Sequence, residues 1–191
     1  MSQLWSTYYV NGRKYKEETI MIKGVTDYAG LAKFYFRQLL RCIIEVGVLE
    51  RPGLVVLDFG CGNGELKRLL PNSNIIGYDI IPALTDVDDW RLVDFDVLVA
   101  NEVFCTFEEE QLDTLLAELR EKNSKLELVV GISRHGLLNN IGKFLLGRPD
   151  AHASTKLMHK EELEILLRYC EIKRKKNVLF LANVFDLSFK S

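Results

Sequence analysis

The sequence lacks the features that mark membrane-spanning, secreted or strongly basic proteins. Its longest apolar runs fall well short of the ~18 residues that a membrane span requires. The N-terminal segment does not have the basic-then-apolar order of a signal peptide. Acidic residues number 27 and basic residues 25, so the net charge is −2, which excludes a strongly basic nucleic-acid-binding protein and leaves only a local basic patch open. These absences predict a soluble cytoplasmic protein.

Cysteine and histidine are also sparse, and neither has the spacing of a metal site. The four cysteines include no CxxC pair, and the three histidines form neither HxxxH nor HExxH. A chain of 191 residues buries enough apolar surface to fold without disulfides. We therefore expect reduced thiols and no metal, with Cys105 a small packing residue rather than a nucleophile.

Apolar residues recur in alternating helical and strand patterns along most of the chain. Helical spacing of Leu31, Tyr35, Leu39, Cys42 and Val46 predicts a helix over 27–46, capped by Asp27. Further helices are predicted at 65–70, after a capping box at Thr106–Glu109, and at 160–169. The predicted strands are 54–57, 74–78, 96–100, 126–131 and a C-terminal hairpin over 171–189. This alternation predicts a three-layer α/β sandwich with a mostly parallel sheet.

The length and the continuous pattern predict one domain over residues 1–191. Residues 1–26 are polar and tyrosine-rich, and we interpret them as an N-terminal extension laid over the core. Residues 133–160 form a long irregular insert between a strand and a helix. The run at 172–176 (IKRKK) is interpreted as a solvated strand edge rather than a site for phosphates or anionic lipid.

The segment 54–70 (LVVLDFGCGNGELKRLL) carries the most informative motif. A predicted buried strand ends at Asp58 and leads into glycines 60, 62 and 64 before a helix. Glycine allows positive φ and close backbone approach to a ligand, and free N–H groups at a helix start favour polar or anionic groups. A second strand ends at Asp79, where a carboxylate suits the two hydroxyls of a ribose.

The pattern D-x-G-x-G-x-G resembles motif I of the class I S-adenosylmethionine-dependent methyltransferases. Asp79 matches the ribose-binding acid of that family, and 101–104 (NEVF) matches the stretch after its fourth strand. The C-terminal hairpin fits the reversed last strand of the family's seven-stranded, Rossmann-like sheet. One departure is that only 16 residues separate Asp79 from Asp96, so the second helix and third strand must be abbreviated.

The resemblance implies that the glycine loop, residues 60–64, holds the methionine part of S-adenosylmethionine. The loop backbone would pack on the cofactor close to the carboxyl of Asp58. The cofactor-binding residues implied here are Asp58, Gly60, Cys61, Gly62, Asn63 and Gly64.

The same resemblance assigns the nucleoside part of the cofactor to residues after the next strands. Asp79 would bind the ribose hydroxyls, with Ile80 beside the adenine. Asp86 and Val87 resemble the acid and small apolar pair that contacts adenine, and the carbonyl of Asn101 or Glu102 would face the cofactor's amino group.

The insert over 133–160 is the candidate cover of the methyl-acceptor site. It contains an apolar helical stripe over 137–145 and is rich in basic residues, which fits a lid over a small or lipid-like acceptor and leaves peripheral membrane contact open. The alternative is a helix that only packs against the core. His135 lies just past a strand end and is the candidate general base.

These features predict a methyltransferase that moves a methyl group from S-adenosylmethionine to oxygen or nitrogen of a small-molecule or lipid-like acceptor, releasing S-adenosylhomocysteine. Nucleic acid is not the expected acceptor, because the 101–104 stretch differs from the [DNS]PP[YFW] motif of amino-methylating nucleic-acid enzymes. One rival is a catalytically inactive cofactor-binding partner of another enzyme. The other is a nicotinamide-dependent oxidoreductase, against which Glu65 argues because it replaces the third glycine of GxGxxG. The acceptor and the oligomeric state stay open.

Overall fold

A computed structural model describes residues 7–10, 13–16, 30–134 and 156–190 of the chain. Within these residues two N-terminal strands pair antiparallel, and six further strands form one sheet. The strands are β1 Thr7–Val10, β2 Arg13–Lys16, β3 Val55–Phe59, β4 Asn74–Tyr78, β5 Val97–Asn101, β6 Glu127–Ser133, β7 Cys170–Val178 and β8 Ala182–Phe189. The helices are α1 Gly30–Gly47, α2 Glu65–Leu69, α3 Glu109–Lys122 and α4 His159–Tyr169, with 3-10 turns at Trp90–Leu92 and Phe104–Thr106.

The large sheet has the order β4-β3-β5-β6-β8-β7. Strands β3 to β6 are mutually parallel, whereas β8 pairs antiparallel with both β6 and β7. The predicted α/β sandwich and its reversed strand are therefore confirmed. Parallel strands place their carboxyl ends at one edge of the sheet, and the loops that follow β3, β4, β5 and β6 meet there.

The described residues contain six strands in this sheet, and the expected seventh is replaced by a loop. Residues 79–96 form turns around the 3-10 turn at Trp90–Leu92, so β4 remains at the edge of the sheet. A segment this short cannot contain both a crossover helix and a strand. Trp90 is instead buried against Phe59 and Phe95, which closes the end of the core where that strand would stand.

Two apolar cores lie on opposite faces of the sheet and make it the middle of three layers. One core joins α1 and α2 to the face that carries Val56, Val97 and Val129. The other joins α3 and α4 to the face that carries Leu57 and Leu98. The alternation of inward residues along each strand explains this division, because neighbouring side chains point to opposite faces.

Two details of the predicted helices are wrong. Leu31 is 70% exposed, because it lies in the first turn of α1, one turn before the buried part of the stripe begins at Tyr35. Helix α3 begins after Glu108 rather than Thr106: the Glu108 N–H donates to Gln111 Oε1 at 2.9 Å. Thr106 belongs to the preceding 3-10 turn, where its hydroxyl donates to the Val103 carbonyl at 2.7 Å.

Several expectations fall on residues outside the described ranges. The cap at Asp27 and the stripe over 137–145 belong to this group. Within the expected N-terminal extension, the backbones of β1 and β2 pair antiparallel. No described helix has both the length and the apolar character that crossing a membrane requires. All four cysteines are buried and none forms a disulfide.

Candidate functional site

The glycine loop joins β3 to α2 at the carboxyl edge of the sheet. Gly60, Gly62 and Gly64 all have positive φ, at 77°, 50° and 71°. A Cβ on Gly60 would stand 2.4 Å from Val103 Cγ2, so this glycine allows close packing. A Cβ on Gly62 or Gly64 would meet nothing within 4 Å, so the backbone there faces open space. The loop thus presents free surface to a ligand at its second and third glycines.

Asp79 lies immediately after β4 and its carboxylate is bonded to the glycine loop. Its Oδ2 accepts a hydrogen bond from the Gly62 N–H at 3.0 Å, and its Oδ1 accepts one from the Ile81 N–H at 3.0 Å. Asp79 is only half-buried, and each carboxylate oxygen has a further acceptor position. Asp79 follows Gly62 by 17 positions in the sequence, and the two residues are in direct contact in the structure.

Asp58 lies beneath the loop and is almost completely buried. Loss of hydration raises its pKa to about 7, and the negative charges of Asp79 and Asp86 act in the same direction. Burial likewise raises the pKa of the Cys61 thiol to about 12, and its Sγ donates to the Leu84 carbonyl at 3.3 Å. Cys61 is therefore a packing residue, whereas Asp58 is an acid that a nearby positive charge would ionise.

A cavity of about 640 Å³ lies on the α2 side of this loop. It brings together these residues of the predicted cofactor set: Asp58, Cys61, Gly62, Asn63, Gly64 and Asp86. The other six residues of the set do not line it: Gly60, Asp79, Ile80, Val87, Asn101 and Glu102. Asp79 adjoins it through its bond to Gly62. The side chain of Ile80 is 66% exposed, which leaves an apolar surface next to Asp79.

Asp86 closes the outer side of β4, at the position where a further strand would have paired. Its Oδ2 accepts hydrogen bonds from the Gly77 N–H at 2.7 Å and from Lys67 Nζ at 3.0 Å. Its own N–H donates to the Gly77 carbonyl at 2.8 Å. The Gly77 and Lys67 bonds hold the pKa of Asp86 below its usual value. These contacts give Asp86 a role in closing the sheet edge, and its contact with adenine stays a prediction, as does that of Val87.

Asn101 and Glu102 lie at the end of β5. Asn101 Oδ1 is buried and has no hydrogen-bond partner, and it occupies the space left by Gly131, where a Cβ would stand 2.5 Å away. Glu102 has a φ of 60°, which is rare for a residue with a side chain. Its N–H donates to the Gly131 carbonyl at 2.9 Å. This backbone turn places Glu102 beside the end of β6.

Three residues that sequence reasoning missed surround Glu102. Its Oε1 accepts a hydrogen bond from Ser133 Oγ at 2.6 Å, and the Tyr35 hydroxyl is hydrogen-bonded to Ser133. Glu162, on the first turn of α4, is 1% exposed. Burial, and then the charge of Glu102, raise the pKa of Glu162 to about 8. We call Tyr35, Glu102, Ser133 and Glu162 the carboxylate cluster.

A sequence signal for Glu162 does exist. It shares one helical face with Ile165, Leu166 and Tyr169, at the spacing i, i+3, i+4 and i+7. A carboxylate within such an apolar stripe is unusual, because charged groups are rarely buried without a partner. Tyr35 and Ser133 carry no comparable signal, because each continues an ordinary helix or strand pattern.

The histidines do not complete a site among the described residues. His135 and His152 lie outside the described ranges, so the proposed base and the acceptor lid stay predictions. His159 begins α4, one residue before the predicted start, and its Nε2 lies 3.0 Å from Asn183 Nδ2. No group of three or more His, Cys, Asp or Glu residues able to hold a metal occurs in the described part of the chain.

Two minor interpretations agree with the structure. Cys105 is 5% exposed, and its carbonyl accepts hydrogen bonds from the N–H groups of Lys156 and Leu157, as expected for a packing residue. The basic run lies on β7, at the edge of the sheet, where Arg174 pairs with Asp186 at 2.8 Å and Lys176 with Glu45 at 2.6 Å. Paired charges of this kind favour the solvated strand edge over a phosphate site.

No family model matches the chain, and no curated protein matches it at the significance required. Several solved structures, however, are similar to the chain. Magnesium protoporphyrin IX methyltransferase from Synechocystis PCC 6803, with bound SAH, is similar at 16% identity and a TM-score of 0.53 over 85% of this chain and 89% of its own. A TehB-like SAM-dependent methyltransferase from Corynebacterium glutamicum is similar at 18% identity and a TM-score of 0.54 over 80% and 88%.

This chain has the class I methyltransferase fold. Human N-acetylserotonin methyltransferase, in complex with SAM, is also similar at 14% identity and a TM-score of 0.57. That match covers 81% of this chain but only 51% of the human protein. The identities are low, so these similarities establish the fold alone.

Proposed function

We propose that the protein is an S-adenosylmethionine-dependent methyltransferase that acts on oxygen or nitrogen of a small or lipid-like molecule. The observation that carries this proposal is the contact between Asp79 and the open glycine loop, at the carboxyl edge of a class I methyltransferase fold. In parallel α/β sheets, ligands bind at this edge, where the strand order reverses. Similar folds hold SAH or SAM in two of the structures described above.

The residues at this edge suit the parts of the cofactor. Asp79 offers two acceptor oxygens for the ribose hydroxyls, and exposed Ile80 offers an apolar surface for the adenine. Gly62 and Gly64 leave room for the methionine part, and the buried carboxyl of Asp58 would balance its ammonium group. The carbonyl of Asn101 or Glu102, at the end of β5, would face the cofactor's amino group. S-adenosylmethionine supplies an electrophilic methyl group carried by a sulfonium.

The chain's own residues then have to align the acceptor and remove its proton. Alignment in attack geometry supplies much of the acceleration of such a displacement. His135 is our candidate base for an acceptor that loses its proton during attack, and residues 133–160 are our candidate cover. His135→Ala should lower turnover and leave cofactor affinity unchanged, whereas full activity in that variant would remove His135 as the base.

The proposal is tested by calorimetric titration of the purified protein with S-adenosylhomocysteine, with NADH titrated in parallel. Binding of S-adenosylhomocysteine alone is the expected result. Binding of NADH alone would replace the proposal with an oxidoreductase, and binding of neither would contradict a cofactor role. Binding without methyl transfer to a broad panel of acceptors would favour an inactive regulatory partner.

A further inference from the structure

The carboxylate cluster combines two acidic side chains in a mostly buried place at the sheet edge. Glu162 is 1% exposed, and its Oε1 makes no hydrogen bond. A buried carboxyl without a partner destabilises the fold, so natural proteins rarely keep one for structural reasons.

Glu102 provides the second carboxylate, and the backbone holds it in place. Its φ of 60° and the 2.6 Å bond from Ser133 Oγ fix both its main chain and its side chain. Positive φ in a residue with a side chain is strained and is often found at functional sites. The tyrosine hydroxyl behind Ser133 extends the hydrogen-bonded chain and supports the same orientation.

The cluster stands beside the proposed cofactor site. Asn101 and Glu102 are adjacent at the end of β5, and Gly60 of the glycine loop packs against Val103, the next residue. A group bound at Glu102 would therefore lie on the acceptor side of the loop, next to the place proposed for the methyl donor.

We propose that Glu102 and Glu162 bind the positively charged nitrogen of an amine acceptor, so that the proposed methyl transfer is to nitrogen. This inference rests on the proposed function and narrows its acceptor class. A cationic ligand would favour the charged form of Glu162 and give its unpartnered oxygen an N–H donor.

The chemistry needs no further reactant. The carboxylate of Glu102 takes one proton from the ammonium group, which leaves a neutral amine with a free lone pair. That lone pair forms the new N–C bond with the methyl carbon as the C–S bond of the sulfonium breaks, and the bonding electrons stay on sulfur. The products are S-adenosylhomocysteine and a methylated ammonium ion.

The test measures binding of two probes to the full chain saturated with S-adenosylhomocysteine: hexylamine, which is a cation at neutral pH, and 1-hexanol, its neutral counterpart. We expect hexylamine to bind about tenfold or more tightly than hexanol, as for a charge-assisted hydrogen bond. Glu102→Gln and Glu162→Gln should each remove most of that preference. Glu164→Gln, an exposed glutamate on the same helix, serves as the matched control and should keep it.

The outcomes separate this inference from the proposed function. Saturation with S-adenosylhomocysteine is confirmed first, and its failure would contradict the cofactor site rather than the amine site. Equal affinity for the two probes, binding of neither, or an unchanged preference in both folded Glu→Gln variants would each overturn the amine site. Thermal unfolding of every variant shows which proteins are folded.

Discussion

Along the carboxyl edge of the sheet, the loop after β3 offers mostly backbone groups, whereas the ends of β5 and β6 offer side chains. The glycine loop is open at Gly62 and Gly64 and is bonded to a carboxylate from the neighbouring strand. The carboxylate cluster is mostly buried, and it is formed by residues from α1, β6, α4 and the turn after β5. Backbone groups suit a cofactor that many enzymes of one fold share. Side chains suit an acceptor that differs from one enzyme to the next.

The two halves are alike in one respect, since each contains a buried acid with a raised pKa. Asp58 and Glu162 are both buried acids with raised pKa values, at about 7 and about 8. Asp58 has an expected counter-charge in the ammonium group of the cofactor, and Glu162 has the amine proposed above. The predictions that follow test whether each half behaves as this comparison requires.

The largest expected effect concerns Glu162 and pH. The pKa of Glu162 in the folded protein lies above its ordinary value of 4.5. The stability that the protonated carboxyl contributes is therefore fully present below about pH 4.5 and is lost as the pH rises through about 8. Glu162→Gln cannot ionise. Between pH 5 and pH 9, its free energy of unfolding relative to wild type should rise by on the order of 3 kcal/mol. Urea unfolding of both proteins at both pH values measures this difference. If the free energies of unfolding of wild type and Glu162→Gln changed equally with pH, the raised pKa of Glu162 would be contradicted.

A second prediction compares two glycines of the same loop. Gly60→Ala should lower the free energy of unfolding by about 2 kcal/mol or more, because it adds both positive-φ strain and a clash with Val103. Gly64→Ala has the strain without the clash and should cost about 1 kcal/mol. Chemical denaturation of both variants tests the difference, and equal losses would mean that close packing at Gly60 adds nothing.

A third prediction concerns Asp79, the acid of the cofactor half. Asp79→Ala should weaken binding of S-adenosylhomocysteine by ~2 kcal/mol, which is about thirtyfold, because the charged hydrogen bonds to the ribose are lost. Asp88→Ala, an exposed acid near the same edge, is the matched control and should bind like wild type. Unchanged affinity in Asp79→Ala would exclude the ribose assignment.

The smallest expected effect is a proton count. With a pKa of about 7, Asp58 is about half protonated at neutral pH, and a bound ammonium group would favour its charged form. Binding of S-adenosylhomocysteine at pH 7 should then release up to about half a proton. Calorimetry in buffers of different ionisation enthalpy measures the release, and Asp58→Asn should abolish it. Proton uptake on binding, or no proton change, would contradict the contact proposed between Asp58 and the ammonium group of the ligand.

How much the sequence predicted follows from how local each feature is. Asp58, the glycines and Asp79 belong to consecutive elements, so strand and turn patterns were enough to place them together. The short segment after Asp79 predicted an abbreviated strand, and the structure has no strand there. Nothing in that segment indicated that Trp90 would close the core instead. Tyr35, Ser133 and Glu162 meet only through tertiary packing, and each has an ordinary local pattern or a weak anomaly.

The cap of α3 shows a smaller failure of the same kind. The T-F-E-E motif fits a capping box as well as Glu108 and Gln111 do, and the 3-10 turn at Phe104–Thr106 decides between them. That turn forms because Phe104 is fully buried against the aromatic core, a fact that no local pattern contains.

The account's central claim is that two separate halves of one sheet edge serve the cofactor and the acceptor. The most direct test is the dissociation constant of S-adenosylhomocysteine for wild type, Asp79→Ala and Glu162→Gln, measured at one pH where all three are folded. We predict that Asp79→Ala binds at least about tenfold more weakly than wild type and that Glu162→Gln binds within about twofold of it. A loss of affinity in Glu162→Gln that equals the loss in Asp79→Ala would contradict the division of the edge.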